Sequence, residues 1–209
     1  DTPNFRYRPR NNSFPGSVPS SIVPYHSKAT ARDRVEGVID GHRFSILEAL
    51  LETTGKNGEI KFEGLLITFE LARRLPAAIT VRKSSMTIMR VVSGVFGMEP
   101  PGDVIKPGAT AFDDKYDVYC ADPSVVHTIF KAEGRKTYRT LQARHASGNM
   151  QFHAARGRVH VMLEHKRDFF ELADLSSAAS VERDVYRLRH EMTGLLRLIA
   201  DLRALLEKP

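Results

Sequence analysis

Two histidines in one short segment are the residues whose type and spacing best suit metal chemistry. His153 and His160 flank the dipeptide Arg156-Gly157, on the polar side of two stretches with alternating apolar residues. A two-residue turn would place the imidazoles opposite each other on neighbouring strands, close enough to share a metal ion. Zinc needs further ligands, for which Glu164 and His165 are candidates. We predict an exposed, solvated histidine pair, with a metal site as the alternative.

Three aspartates and a cysteine also carry reactive groups. Asp113, Asp114 and Asp117 could serve acid–base or metal chemistry, but the glycine and distal glutamate of a calcium loop are missing, which favours a solvated turn. Cys120 alternates with apolar residues and is predicted to be buried, although a helix beginning at Pro123 could lower its pKa. Phosphate-binding glycine loops and serine-elbow motifs do not occur in the sequence. An enzyme is therefore the minority hypothesis, and we predict no cofactor.

Positive charge is concentrated in two regions of a chain whose formal net charge is +6. In the first region Arg6, Arg8 and Arg10 alternate with aromatic residues. In the second region Lys131, Arg135 and Arg139 recur every four residues, which predicts one basic helix face. Both groups could contact anionic lipid headgroups or single-stranded RNA, and the simpler alternative is a charged helix that faces water.

An apolar segment between residues 86 and 98 has helical spacing. Its side chains include Ile88, Val92, Val95 and Phe96, with Arg90 among them. Such a segment could lie on a membrane or in a groove of a partner protein. Apolar helical stripes more often face the core, so we predict core packing.

The helices and strands that must position these residues are predicted to form an α+β fold. The 209 residues suit one domain, and 42% hydrophobic with 27% charged residues is typical of a globular protein. Five prolines in residues 1–32 predict an extended basic linker, and residues 33–209 form the domain. Asp40-Gly41 predicts a hairpin, and Asp122 the N-cap of a mid-chain helix. We expect a curved antiparallel sheet of about six or seven strands, with this helix and a long C-terminal helix packed on it.

The C-terminal helix is predicted over residues 180–207, beneath a Ser180 cap. Its apolar positions keep spacings of four and three residues, which suits either the domain core or a partner helix. We predict that the first half, around Val185 and Leu188, docks on the domain. The second half would then be available for self-association through Ile199, Leu202 and Leu206.

Four ordered motifs give the chain a family resemblance. They are residues 33–37 (DRVEG), 62–65 (FEGL), 116–122 (YDVYCAD) and 166–171 (KRDFFE). In this order they resemble landmarks of the uncharacterised bacterial family catalogued as domain of unknown function 3137. The resemblance implies transmembrane segments ahead of the domain, and it implies no catalytic residues, because the family has no established activity.

Together these features predict a noncatalytic membrane-associated or protein-interaction module. We expect the soluble part of a membrane-anchored bacterial protein, at the cytoplasmic face of the membrane. Its expected partners are an anionic membrane surface or another protein, with a homo-oligomer formed through the C-terminal helix. An enzyme or metal-binding domain that uses His153 and His160 is the alternative, and an RNA-binding module is the third hypothesis.

Overall fold

A large antiparallel sheet dominates the fold. The computed structural model describes residues 5–9, 13–53, 59–84, 102–145, 148–165, 169–171 and 177–208. The strands are β1 (Phe5–Arg8), β2 (Lys28–Ile39), β3 (His42–Thr53), β4 (Glu59–Glu70), β5 (Ile79–Lys83), β6 (Asp103–Ile105), β7 (Tyr116–Cys120), β8 (Met150–Ala155) and β9 (Arg158–Glu164). The helices are α1 (Thr110–Asp113), α2 (Pro123–Ile129), α3 (Ala132–His145) and α4 (Ala178–Leu206).

Nine strands of the described residues lie in one open sheet, in the order β1-β2-β3-β4-β9-β8-β5-β7-β6. This confirms the predicted mixed fold with a large antiparallel sheet and a C-terminal helix, but the count of about six or seven strands was too low. The added strands are short: β1 has four residues and β6 three. Elements of that length are too short to show a clear alternation of apolar and polar residues.

The two predicted hairpin turns have the backbone conformation that their sequences favour. Asp40 and Gly41 have φ values of 49° and 76°, and Arg156 and Gly157 have 52° and 79°. Positive φ at both central residues matches the right-handed twist of the flanking strands. The second turn sets the register that pairs His153 with His160.

The two faces of the sheet are covered by different parts of the chain. The helices pack on one face, where Ile67, Val118 and Phe152 are buried in the main apolar core. On the other face Leu47, Leu66 and Met162 are buried beneath residues 13–27, which contribute Ile22 and Val23. We call residues 13–27 the covering segment.

The covering segment and strand β1 differ from the predicted linker over residues 1–32. The prolines do prevent a helix, as expected. However, Ile22 is only 2% exposed, and Phe5–Arg8 pair with residues 34–37 of β2. This packing arises because an apolar sheet face with no helix on it must be covered by other apolar residues.

Helix α4 begins earlier than its predicted cap. Ser177 is the N-cap, and its hydroxyl accepts a hydrogen bond from the amide of Ser180, whose own hydroxyl accepts one from the amide of Ser177. This reciprocal capping box explains why two serines mark the same helix start. None of the helices in the described ranges has the length and apolar composition needed to cross a membrane.

The second half of α4 packs on the core, contrary to the prediction, whereas in the first half Leu188 is half-buried and Arg187 donates hydrogen bonds to the carbonyl oxygens of Phe169 and Glu171. Ile199, Leu202 and Leu206 are buried in the main core, so in this structure they are not available for self-association. Val185 in the first half is instead 54% exposed. Additional leucines at 195, 198 and 205 widen the apolar stripe of the second half, which suits packing on a sheet better than a narrow helix–helix seam.

Helix α3 is held in place by an aromatic cluster on the helix-covered face. Tyr138 is fully buried, and its ring lies 5.1 Å from that of Tyr116 and 5.9 Å from that of Phe152. Its hydroxyl donates a 2.8 Å hydrogen bond to the carbonyl oxygen of Met150. Burial of the phenol raises its pKa well above the ordinary value. The orientation of α3 is thereby fixed relative to β7 and β8.

Two predictions concern residues that the structure does not describe. The apolar segment 86–98 lies outside the described residues, and so does Arg10.

Candidate functional site

The predicted histidine pair is formed, but it is buried rather than solvated. His153 and His160 occupy directly paired positions of β8 and β9 and are 7% and 6% exposed. Thr80 on β5 lies 2.8 Å from Nδ1 of His153, and Thr68 on β4 lies 3.1 Å from Nδ1 of His160, each through its hydroxyl oxygen. The expectation of exposure fails because the covering segment crosses the polar side of the hairpin.

Burial makes both imidazoles weak bases. It lowers the pKa of His153, and it lowers the pKa of His160 to about 4, with further contributions from His153 and the charge of Arg158. Both rings are therefore uncharged at neutral pH. A neutral imidazole offers one N–H donor and one nitrogen acceptor, which suits either a metal ion or a hydrogen-bonded ligand.

A cleft of about 830 Å³ opens beside the histidine pair. We call it the histidine cleft. Its wall includes Ser17 and Pro19 of the covering segment, and its lining contains four arginines and one glutamate: Arg73, Arg74, Arg156, Arg158 and Glu70. The strands therefore supply the histidines and Arg158, while the β4–β5 connection supplies Arg73 and Arg74 and the β8–β9 turn supplies Arg156.

The additional metal ligands that the sequence suggested do not join the histidines. Glu164 accepts a 2.8 Å hydrogen bond from the amide of Asn149, and the ring of His165 packs edge-on against Phe169. Across the described ranges, no group of three or more histidine, cysteine, aspartate or glutamate side chains could hold a metal ion. A two-histidine metal site stays a prediction.

Polar contacts that sequence reasoning missed anchor the covering segment above the sheet. Arg82 on β5 donates a 3.4 Å hydrogen bond to the carbonyl oxygen of Ser21, and its guanidinium lies 4.8 Å from the centroid of the Tyr119 ring. Gln151 donates a 2.7 Å hydrogen bond to the carbonyl oxygen of Ile22. Alternation of Thr80 and Arg82 with the apolar residues of β5 is the signal that could have indicated a polar sheet face.

The three aspartates are divided between structural contacts and solvent. Asp117 is buried and lies 3.0 Å from the ammonium group of Lys106, so the solvated-turn interpretation is wrong for this residue. Asp113 accepts hydrogen bonds from the amides of Gly108 and Ala109, whereas Asp114 is exposed. The carboxylates of Asp113 and Asp117 therefore stabilise local structure.

Cys120 is buried in β7, as its position in the sequence predicted. Burial is the largest influence on its thiol and raises its pKa. The nearby α2 N-terminus does not reverse this effect, so the sulfur is predominantly protonated at neutral pH.

The predicted basic stripe does not form one free surface. Lys131 precedes the first residue of α3, and both Lys131 and Arg139 are exposed. Arg135 is half-buried, and its guanidinium donates hydrogen bonds to the carbonyl oxygens of Phe130 and Pro107. Helix α3 begins only three residues before Arg135, and this places the side chain beside the last turn of α2 rather than in solvent.

A different set of basic residues shares one surface at α3. Lys115, Lys136 and Arg139 line a shallow cleft of about 560 Å³, together with Tyr116, Thr140, Gln142, Ala143 and Gly148. We call these three basic side chains the basic face. The charge of Arg139 is close enough to Tyr116 to act on the pKa of its phenol, although burial raises that pKa overall.

The arginines near the N-terminus lie at the opposite edge of the sheet. Arg6 and Arg8 are exposed on β1, and Arg8 pairs with Glu36 at 3.4 Å. Strand β1 forms one edge, whereas β7, which follows Lys115, lies next to the other edge. The two predicted basic regions therefore do not join into one surface.

Comparison with known proteins gives one family and one similar solved structure. The crystal structure of the mycobacterial trehalose monomycolate transport factor A, TtfA, aligns with a TM-score of 0.56, covering 97% of this chain and 87% of that chain. The TM-score shows a shared fold, and the sequences are 13% identical. No curated protein matches the sequence. Residues 60–204 match the family described as protein of unknown function (DUF3137), and the chain belongs to that family.

Proposed function

We propose that this protein is a noncatalytic module that binds an anionic membrane surface through the basic face. The observation that carries the proposal is the lining of the α3 cleft, in which Lys115, Lys136 and Arg139 converge and the described lining residues include no acid. Like charges are brought together at a cost in repulsion that an anionic partner would remove.

The surroundings of the basic face support an anionic partner. Glu133 in the first turn of α3 pairs with Lys208 at 3.4 Å, so its charge is already balanced. At the other end of α3, the charges of Arg144 and Arg197 help to lower the pKa of His145, after the larger effect of burial. The exposed outer side of the helix itself carries the positive charges of Lys136 and Arg139.

Electrostatics of this size suit reversible association. A basic side chain near an anionic membrane contributes about 1 kcal/mol, so the basic face would contribute roughly 3 kcal/mol. This electrostatic attraction decreases with distance from the membrane over a Debye length of about 8 Å at physiological ionic strength. We propose that the association occurs at the cytoplasmic face of the membrane, where anionic lipids attract basic surfaces.

Two comparisons favour a membrane over the other partners that the sequence suggested. Stacking of single-stranded RNA needs exposed aromatic rings beside the basic groups, whereas Tyr116, the aromatic residue that lines the α3 cleft, is buried. The similar solved protein is named as a transport factor, which supports a binding role. An acidic partner protein is the remaining alternative, and the experiment below distinguishes it from a membrane.

Vesicle cosedimentation tests the proposal. We expect wild-type protein to pellet with phosphatidylglycerol-containing vesicles at about 0.1 M salt and to be released at about 1 M salt. The double variant Lys136→Gln/Arg139→Gln should bind about 30-fold more weakly, because two contributions of about 1 kcal/mol are lost. Both side chains are exposed, so the fold should be retained.

A matched control removes the same charge elsewhere. Lys28→Gln/Arg43→Gln changes two exposed basic residues on β2 and β3, away from α3. Normal pelleting of this control together with loss for the α3 variant would support the basic face. Equal pelleting of both variants, or equal binding to purely phosphatidylcholine vesicles, would reject the proposal and leave a partner protein as the alternative.

A further inference from the structure

The histidine cleft has the volume of a small-molecule site and is separate from the basic face. Its volume of about 830 Å³ lies within the usual range of ligand pockets. One side is formed by Ser17 and Pro19 of the covering segment, and the floor includes the buried rings of His153 and His160. A ligand would therefore contact ordered strands below and the covering segment above.

The arginines of this cleft differ in how they are used. The Arg73 guanidinium donates to the carbonyl oxygens of Glu207 and Lys208 and so holds the chain after α4. Within the part of the chain that the structure describes, the side chains of Arg74, Arg156 and Arg158 make no hydrogen bond or ion pair. Three guanidinium groups beside the buried imidazole rings are thus available to a ligand.

The acid in this lining does not neutralise the arginines. Glu70 pairs in register with Arg158, but the two side chains form no ion pair, and a carboxylate oxygen of Glu70 accepts a hydrogen bond from the backbone amide of Arg43. The residues that line the cleft therefore carry more positive than negative charge. Such an environment disfavours a metal cation at the histidines, because the cation would be repelled by the neighbouring guanidinium groups.

The floor adds hydrogen-bonding groups that suit an anion. The Nδ1 atoms of His153 and His160 lie beside the hydroxyls of Thr80 and Thr68. When a threonine hydroxyl donates to Nδ1, the ring proton is on Nε2, which can donate to a ligand. Within the described residues neither Nε2 atom makes a hydrogen bond, and both rings line the cleft.

We propose that the histidine cleft binds the phosphate group of a small ligand, held by Arg74, Arg156 and Arg158 above the His153 and His160 rings. Guanidinium groups match the geometry of phosphate oxygens and bind them through paired hydrogen bonds. A multiply charged phosphate balances three arginines better than a single carboxylate does. The phosphate could come from a soluble compound or from a lipid headgroup, and the two sources are separable.

NMR titration of the histidine signals provides the test. Two probes are added to the full chain: sodium pyrophosphate as a soluble phosphate, and a short-chain phosphatidylglycerol below its micelle concentration as a headgroup. We expect saturable shifts of the His153 and His160 signals, assigned with His153→Gln and His160→Gln, and a raised pKa of His160 while the anion is bound. The probe that saturates at lower concentration identifies the source.

Substitutions of the cleft arginines, which we call the rim variants, distinguish a specific phosphate site from general charge attraction. Arg74→Gln and Arg156→Asn should each weaken binding about tenfold or more, because each removes charged hydrogen bonds. Asparagine is chosen at 156 because it tolerates the positive φ of that turn position. Arg43→Gln removes an equal charge on the other side of Glu70 and should bind like wild type, as should Lys136→Gln/Arg139→Gln.

Three outcomes would overturn the proposal. The first is the absence of a saturable shift with both probes in a protein whose circular dichroism is native. The second is an equal loss for Arg43→Gln and the rim variants, which would indicate diffuse attraction. The third is a shift produced by Zn²⁺ alone and by neither phosphate probe, which would identify the histidines as a metal site. None of these outcomes depends on whether the basic face binds vesicles.

Discussion

The guanidinium group of Arg135 lies 2.9 Å from the carbonyl oxygen of Phe130, the residue that caps the C-terminus of α2. The same group lies 3.0 Å from the carbonyl oxygen of Pro107. Carbonyl oxygens at a helix end have no partner within the helix, so this arginine satisfies one of them and ties α2 to the loop before α1. Arg135 therefore supports the fold, although its sequence position suggested a surface contact.

Removal of Arg135 should destabilise the protein. We expect Arg135→Gln to lower the free energy of unfolding by about 1 to 3 kcal/mol, the usual loss for hydrogen bonds to a charged donor. Arg139→Gln, one helical turn later and exposed, should change it by less than about 0.5 kcal/mol. Urea denaturation of both variants measures the difference, and equal midpoints would contradict the structural role.

Gly134 should be intolerant of alanine despite the higher helix propensity of alanine. A Cβ atom there would lie 1.9 Å from the carbonyl oxygen of Ile129 and 3.2 Å from Cδ1 of Leu205. Propensity alone would predict a gain of about 1 kcal/mol, whereas this overlap with backbone predicts a net loss of about 1 to 3 kcal/mol. A thermal midpoint above that of wild type would show that α3 can move away from α2.

Substitutions in the two halves of α4 should have unequal effects. Leu202→Ala removes a fully buried side chain and should cost about 2 to 5 kcal/mol. Val185→Ala changes an exposed side chain and should cost less than about 0.5 kcal/mol. Chemical denaturation gives both values, and light scattering on the folded Leu202→Ala protein would detect any change in mass that a self-association role requires. If Leu202→Ala changed an oligomer into a monomer without lowering the free energy of unfolding, a self-association role for Leu202 would be supported after all.

Stability should fall in mildly acidic solution because His160 is buried in its neutral form. Its pKa is about 4 in the folded chain and 6.5 ordinarily, so the unfolded chain binds more protons between these values. The contribution of His160 is complete above about pH 6.5 and decreases by about 2 to 3 kcal/mol as pH falls to about 4.

The variant His160→Gln measures this contribution together with the coupling of His160 to His153. The pKa values of His145 and of His153, the strand partner of His160, are also lowered and act in the same range. The quantity to compare is therefore the slope of unfolding free energy against pH in wild type and variant. Asp122 has a pKa lowered by its hydrogen bonds with Ser124, and it acts only below its ordinary value of 3.8. Identical slopes between pH 4 and 6.5 would contradict the proposed burial of a neutral ring.

Local patterns predicted the parts of the fold that depend on neighbouring residues. Asp40-Gly41 determined one hairpin and Arg156-Gly157 another, and Asp122 accepts hydrogen bonds from Ser124 as the N-cap of α2. Pairing of His153 with His160 follows from the second turn alone. These features need only turn geometry and alternation, which the sequence carries directly.

Exposure of the site residues depended on contacts between distant segments, which alternation cannot show. The polar side of β8 and β9 resembles a solvated face until Ser21, 132 positions from His153, is placed above it. In the same way Arg135 has the spacing of a surface residue, and only the position of Pro107 shows that it is engaged. Polar strand residues can therefore line a buried cleft when another segment covers them.

The pairing of β4 with β9 has a consequence for the order in which the chain folds. Strands β2, β3 and β4 pair with neighbours in sequence, and so do β8 and β9, but the pairing of Leu65 with Leu163 joins residues roughly 100 positions apart. Closing so long a loop is entropically costly until both sides offer formed strands. The β4–β9 pairing is accordingly the step expected to limit the folding rate, and the half-formed sheets on either side would expose unpaired strand edges until it closes.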